Sequence, residues 1–480
     1  MSDRTVQDYI DETPNWPDGT VVPKVPMTAM QWRIWGLATA GKFFEGLVIF
    51  MTGVALPLIV LEFNLGAAEK GLIGAASLFG ILIGATALGG LADRFGRKAM
   101  FIVEMALFTV FLVAVALSPS FPLLVIFLFG MGLALGCDYP TAHMVISESI
   151  PSSDRGRLVL GAFAFQAVGA IAGTIIGYMI LKFSEDLFDW RLMYATAIVP
   201  AVLVTFGRFF VTQSGHWLMV QGRIEEAERE TERLLRREPV YPKKVKLKKV
   251  VEDEKDRTPG FAKLFKKKHR RATILAAVPW FLQDLGTYGI GIFTPTILAA
   301  TIGAVSQHER NLAEVIHNDM KAAEGAALID ILLVVGIVLA VFLVDKLGRI
   351  RLQVFGFVGC ALGLFIAALS AHFTGTTQIV MIFAGFMIFN LMTNLGPNAM
   401  TYLLAGEVFP TKIRGVGAGF AASFAKIGAV LTAFLFPILL NDLGTSLLLY
   451  FLVGTSLLGA IITWRFSIET TGVNLEKMDH

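Results

Sequence analysis

The sequence predicts an all-α membrane protein of twelve transmembrane helices, arranged as two pseudo-symmetric six-helix bundles. Three observations carry this expectation. The 480 residues are 55% hydrophobic and only 16% charged, with mean hydropathy +0.66, which is more apolar surface than one soluble core can bury. Apolar stretches of about 20 residues, the length that crosses a hydrocarbon layer of about 30 Å, recur along nearly the whole chain. Charged motifs in the first half return in the second with the same spacing.

Taken in order, residues 1–32 are polar and acidic (Asp3, Asp8, Asp11, Glu12, Asp18). They lack the basic start and short apolar core of a signal peptide and read as a cytoplasmic tail. Six spans follow near 33–61, 72–92, 98–117, 122–147, 158–181 and 191–211, giving an N-terminal bundle over 33–211. The polar segment 212–271 is rich in Lys and Arg, including the run Lys266 to Arg271. It reads as a cytoplasmic linker facing lipid headgroups and not as a nucleic-acid patch. Within it, Glu225 to Arg237 reads as a solvated amphipathic helix. Six further spans lie near 272–298, 325–344, 351–371, 378–404, 416–439 and 445–467. They form a C-terminal bundle over 272–467, and 468–480 is a second tail.

Charge placement gives the orientation. Most of the 41 Lys and Arg fall in alternate polar segments, those holding the two tails and the central linker. The intervening loops hold few: Lys70, Lys182, Arg191, Arg310 and Lys321. By the positive-inside rule both termini are cytoplasmic in a multi-pass protein of the cell membrane. Cys137 and Cys360 both fall inside spans, with no disulfide pattern and no metal-ligand spacing. No nucleophile, metal set or phosphate-cradling glycine loop stands in a recognisable context, so neither an enzyme nor a cofactor is expected.

The repeat is the next signal. Asp93, Arg94 and Arg97 in DRFGR have counterparts in DKLGR, where Asp345 and Arg349 match Asp93 and Arg97, each after the second span of its half. Glu148, Pro151, Arg155 and Gly156 recur as Glu407, Pro410, Arg414 and Gly415. Duplicated halves around a long central loop suit an alternating-access transporter with its site between them near midplane. An acid, arginines and a glycine turn at a helix end can form charge pairs that hold the cytoplasmic side closed. The plainer reading is that they only set topology and turn geometry.

GGLADRFGRK, the paired E-x-x-P-x-x-x-R-G blocks, QSGHWLMVQGRIEEAE after the sixth span and IETTGVNLEKM near the end resemble the sugar-porter branch of the major facilitator superfamily over most of 33–478. Thr212, Gln213 and Gly215 depart from that branch's Pro-Glu-Ser-Pro string, as does Thr471 from its usual Lys. These motifs imply fold and branch and say little about substrate.

Substrate information comes from polar groups at midplane depth, where ionisable residues are costly and functional by default. At 1.5 Å of rise per residue, Gln166, Asp284, Lys426, Asp138 and Asn398 all lie roughly 14–18 Å into their spans, and Glu45 reaches the same layer. Trp280, Asp284 and Tyr288 share one helical face at i, i+4, i+8. Packing or an interfacial belt is the alternative for either aromatic, and a structural pair with an acid is the alternative for Lys426. Pro140 after Asp138 and Tyr139 predicts a deformed helix with a free carbonyl. His143 could shuttle protons, but helical spacing turns it away from Asp138, and a packed or gate histidine is the better reading.

This constellation resembles the phosphate:proton symporters within that branch. The resemblance implies substrate contacts by Tyr139, Gln166, Trp280, Asp284, Tyr288 and Asn398, with Lys426 matching its helix-11 lysine and proton carriage by Glu45 and Asp138. Val48 stands where a second acid is common, and Cys137 where Gly is usual. The chemistry is coherent by itself: Tyr, Trp, Asn, Gln and Lys donate to a monovalent oxyanion, while a carboxylate accepts its remaining proton. Two unneutralised carboxylates would repel the anion, so at least one must be protonated on binding. The expectation is a monomeric proton-coupled symporter of phosphate or a related small anion, with membrane lipid as surroundings and no nucleic-acid partner. Another organic anion, a sugar, or a transport-inactive sensor on the same fold are the alternatives.

Overall fold

A computed structural model of the chain describes residues 4–13, 26–88, 91–184, 186–237, 245–247, 261–303, 312–410 and 413–470. A short helix α1 (Val6–Asp11), capped by the reciprocal Thr5 and Asp8 pair, precedes the first long helix α2 (Ala29–Phe63). Thr28 and Gln31 cap α2 in the same reciprocal way, satisfying two of its free N–H groups. Next come α3 (Ala67–Ile83), which ends in a π turn, α4 (Leu91–Phe95), α5 (Arg97–Ala116), α6 (Phe121–Ser149) and α7 (Arg155–Phe183). The sixth span is built from α8 (Asp189–Thr196) and α9 (Ile198–Arg208). Two helices of the linker, the mostly apolar α10 (Gly215–Val220) and the charged α11 (Ile224–Leu235), and the short α12 (Phe261–Leu264) join the halves.

The second half holds α13 (Lys267–Gly303), α14 (Leu312–Leu347), α15 (Arg349–Leu369), α16 (Thr376–Leu395), α17 (Pro397–Glu407) and α18 (Arg414–Arg465). At 52 residues α18 is twice the length a bilayer needs, and it is two helices joined at Gly444, whose φ is 78°. The span predicted at 378–404 is in fact α16 and α17, parted at Gly396 with Pro397 opening the second. Ten helices are long and apolar enough to cross a membrane among the described residues, counting α18 once. α13 is long enough too, but Gln283, Asp284, Thr287 and Tyr288 interrupt its apolar run. With α13 added and α18 divided, the twelve spans of the sequence reading are present. Helix α6 runs unbroken through Pro140, so the predicted deformation there is not seen.

The repeated charged motif has one backbone shape in both halves. Gly96 and Gly348 occupy φ of 96° and 87°, a region that L side chains avoid. Each lets a helix start immediately with the following arginine. On the face away from the termini the halves approach very closely. A Cβ added at Gly53 on α2 would overlap the Ile292 carbonyl of α13, and one at Gly71 on α3 would overlap the Phe434 carbonyl of α18.

The tail and linker differ from expectation. Val6, Tyr9 and Ile10 of α1 share a buried core with Leu234 and Leu235 of α11 and with Val245. The helix within Glu225 to Arg237 is therefore amphipathic as predicted, but its apolar face is covered by protein. Asp11 accepts from the Ser152 backbone N–H and hydroxyl, each at 2.7 Å, fastening α1 to the loop before α7.

Candidate functional site

Six polar side chains from four helices meet between the halves. Lys426 Nζ of α18 donates to Tyr288 Oη of α13 at 2.5 Å and lies 3.5 Å from both Glu45 Oε1 and Asp284 Oδ2. Tyr288 Oη donates to Glu45 Oε1 at 3.1 Å and accepts from Gln166 Nε2 of α7 at 3.2 Å. Lys42, one turn before Glu45 on α2, holds the second carboxylate oxygen at 2.5 Å. Lys426, Glu45, Asp284 and Tyr288 are all buried, so these contacts replace water and not lipid. Two lysines face two carboxylates, and the ion pair between Lys426 and Glu45 crosses from one half to the other.

This network is a partition between two cavities. One, on the side of the termini, is lined by Gly41, Lys42, Glu45, Asp138, His143 and Tyr402 among others. The second is lined by Gln166, Thr287, Tyr288, Leu333, Asn394 and Asn398 among others. Asn398 Nδ2 of α17 donates to Asn394 Oδ1 of α16 at 2.6 Å, across the break at Gly396. The helical stripe divides: Asp284 and Tyr288 reach Lys426, whereas the Trp280 ring edge meets Tyr402 at 6.1 Å between centroids. Tyr402 in turn stacks on Phe163 of the other half at 4.7 Å and meets His143 at 6.5 Å. His143 is thus packed on an aromatic, in the same cavity wall as Asp138. The side chain of Tyr139 lies outside the described residues.

Asp138 differs from a free carboxylate. It is ion-paired with Arg208 of α9, which is fully buried and also donates to the Phe101 carbonyl at 2.7 Å. Gly41 has no side chain to hold this acid away from α2, since a Cβ there would overlap Asp138 Oδ2. Glu104 of α5 accepts at 2.9 Å from Thr141, one turn after Asp138 on α6, with its second oxygen unpartnered among the described residues. Lys42, Arg208, Glu104 and Tyr402 were not among the residues singled out from sequence. The first three are charges inside spans, which is itself the signal that finds such groups. Tyr402 carries no comparable signal.

The repeated motif residues form two equivalent pairs on the terminal face. Arg97 bonds Asp93 at 2.6 Å and Glu148 at 3.1 Å, and Arg349 bonds Glu407 at 3.2 Å. Each pair lies within its own half. Ser214 adds a 2.5 Å bond to Glu148, and Thr470 a 2.5 Å bond to Glu407. Arg155 donates to Gln7 of α1 at 3.0 Å, and exposed Arg94 lies over the Phe95 ring. The side chains of Asp345 and Arg414 lie outside the described residues. Gln213, one of the departures noted above, accepts from the Lys98 N–H at 3.0 Å and thereby ties α10 to the start of α5.

Residues 37–480 match the family model described as sugar (and other) transporter. A metabolite transport protein of Escherichia coli strain K12, provisionally named YaaU, is 28% identical over 92% of this chain and 93% of its own. A protein of Schizosaccharomyces pombe, provisionally named as an inorganic phosphate transporter, is 28% identical over 94% of this chain and 88% of its own. The xylose transporter XylE from E. coli, solved in a partially occluded inward-open conformation, superposes with a TM-score of 0.73 at 21% identity, covering 93% of this chain and 100% of that one.

Proposed function

The chain belongs to the sugar (and other) transporter family, and from that premise we propose that it carries a small oxyanion, phosphate or a close relative, together with a proton by alternating access. Both termini face the cytoplasm in this reading, as the clustering of Lys and Arg on the terminal face requires. The observation that carries the proposal is the position of Lys426, 3.5 Å from each of two buried carboxylates. While both acids are ionised, Lys426 and Lys42 are fully engaged and an incoming anion meets a balanced cluster. Protonating Glu45 releases its hold on both lysines. Asp284 alone then balances the two lysines, and the surplus positive charge beside Tyr288, Gln166 and Asn398 is a donor set for an oxyanion. Anion and proton thus assist each other's binding, which is a coupling free energy between two sites. The S. pombe relative named for phosphate supports that substrate.

Purified protein in proteoliposomes tests this. Labelled phosphate should accumulate above the bath concentration when the bath is acid relative to the lumen, and should only equilibrate without a gradient. Accumulation of a sugar and not of phosphate under the same gradient would overturn the anion assignment. Binding without accumulation of any solute would make the protein a sensor.

A further inference from the structure

Asp330 on α14 is a buried carboxylate, 3% exposed, that the functional reading leaves unused. It sits one turn before Leu333, on the side of the inter-half cavity away from the termini. Its Oδ2 is 2.9 Å from Thr174 Oγ1 of α7, in the other half, and its Oδ1 accepts from Asn390 Nδ2 of α16 at 3.1 Å. Among the described residues no Lys or Arg pairs with it. α16 carries no charged residue, the charges of α7 (Arg155, Arg157, Lys182) stand at its ends, and every other charge on α14 is six or more positions away. Asp284 of α13 and Glu45 of α2 are engaged with Lys426, and Lys42 with Glu45.

Burial without a cation disfavours the ionised form, and the hydrogen bonds accommodate a proton. Thr174 Oγ1 lies 3.0 Å from its own helix's Ala170 carbonyl as well as 2.9 Å from Asp330 Oδ2. A threonine has one hydroxyl hydrogen, so with Asp330 ionised it is shared between the two acceptors. A hydrogen on Asp330 completes the set: Oδ2–H donates to Thr174, Thr174 donates to Ala170, and Asn390 donates to Oδ1.

We propose that Asp330 is a proton-binding site that latches the halves together on the side away from the termini, and that loss of its proton to water on that side opens them. Deprotonated, it is a buried anion without a cation among the described residues, a state that separation and hydration relieve. The closing proton comes from the same water. Only the statement that this side is extracellular rests on the transporter reading.

Spin labels at Ala68→Cys and Thr374→Cys, exposed positions in the two halves on that side, report the separation, since Cys137 and Cys360 are both buried. In nanodiscs the separated population should rise with pH, by up to about tenfold per unit for one linked proton. Asp330→Asn, which donates permanently, and Thr174→Val, which removes the cross-half acceptor, should both abolish the response. An unmodified protein whose distances ignore pH would overturn the latch. So would a response that survives in both variants; its disappearance in Glu45→Gln would then assign the proton to the central cluster, and its disappearance in Asp319→Asn to the other buried acid of α14. Phosphate binding by calorimetry, run in parallel, separates the two proposals: its absence defeats the anion reading and leaves the distance result to judge Asp330.

Discussion

Lys426 is asked to hold two carboxylates and a phenol at once, and its contacts set the first expected outcome. Lys426→Ala removes a charge-assisted donor worth about 1.5–3 kcal/mol. Anion affinity measured by calorimetry should therefore fall roughly 10- to 100-fold with the helical content unchanged, and an unaltered affinity would remove Lys426 from the site. Asp138 behaves differently because it neutralises Arg208 in a fully buried setting. Asp138→Asn leaves that guanidinium unpaired at a cost of about 3–5 kcal/mol. Its thermal midpoint should drop sharply, and Asp138→Asn combined with Arg208→Gln should recover most of the loss. Glu45→Gln, by contrast, should keep the fold and solute exchange between the faces while losing accumulation driven by pH. If Asp138→Asn is as stable as the parent, Arg208 has another partner. Most of this cluster was legible in the sequence: depth placed Glu45, Gln166, Asp284 and Lys426 in one layer and the helical stripe added Tyr288, and all five meet, whereas Asp138 and Asn398, read into the same layer, line the flanking cavities. Arg208 was not, because it stands near the end of its predicted span, where long basic side chains ordinarily reach the interface; Lys42, as deep in its span as Gln166, carried the same depth signal and was passed over. Asp330 was passed over because the predicted span began at 325, so that a residue at mid-helix in α14 looked peripheral.

At the scale of elements, span lengths were readable because a bilayer demands them, whereas α1 was not, its six residues being too few for periodicity to register. Val6, Tyr9 and Ile10 nonetheless bury against α11, at about 1.5–3 kcal/mol for each side chain as an upper bound. Deleting residues 1–12 should lower the thermal midpoint without altering anion affinity. The glycine approaches on the other face make a second prediction. Gly71→Leu cannot coexist with the Phe434 carbonyl where it stands, so α3 and α18 must part. The variant should populate the form open on that side, seen as a longer distance between the labels at residues 68 and 374. An unchanged distance would mean that the two helices re-pack without separating.

Across the whole molecule, the two arginine and glutamate pairs lie one in each half and stabilise the same face by the same geometry. Arg97→Ala and Arg349→Ala should each slow turnover without changing which solute is preferred. Being far apart and sharing no partner, they should add in the double variant. A shifted substrate profile in either would place that residue nearer the cavity than the structure does. The partition of two lysines and two carboxylates has a further consequence for energetics. A carrier must return empty, and any net charge that moves with its site works against the membrane voltage, at about 2.3 kcal/mol per elementary charge per 100 mV. Lys42 and Lys426 against Glu45 and Asp284 sum to zero, so the unloaded journey is electrically silent. A monovalent anion travelling with one proton adds nothing to that sum. Current across a supported membrane should therefore stay near zero through full cycles of one-to-one symport, and the voltage of the cell neither drives nor resists the uptake.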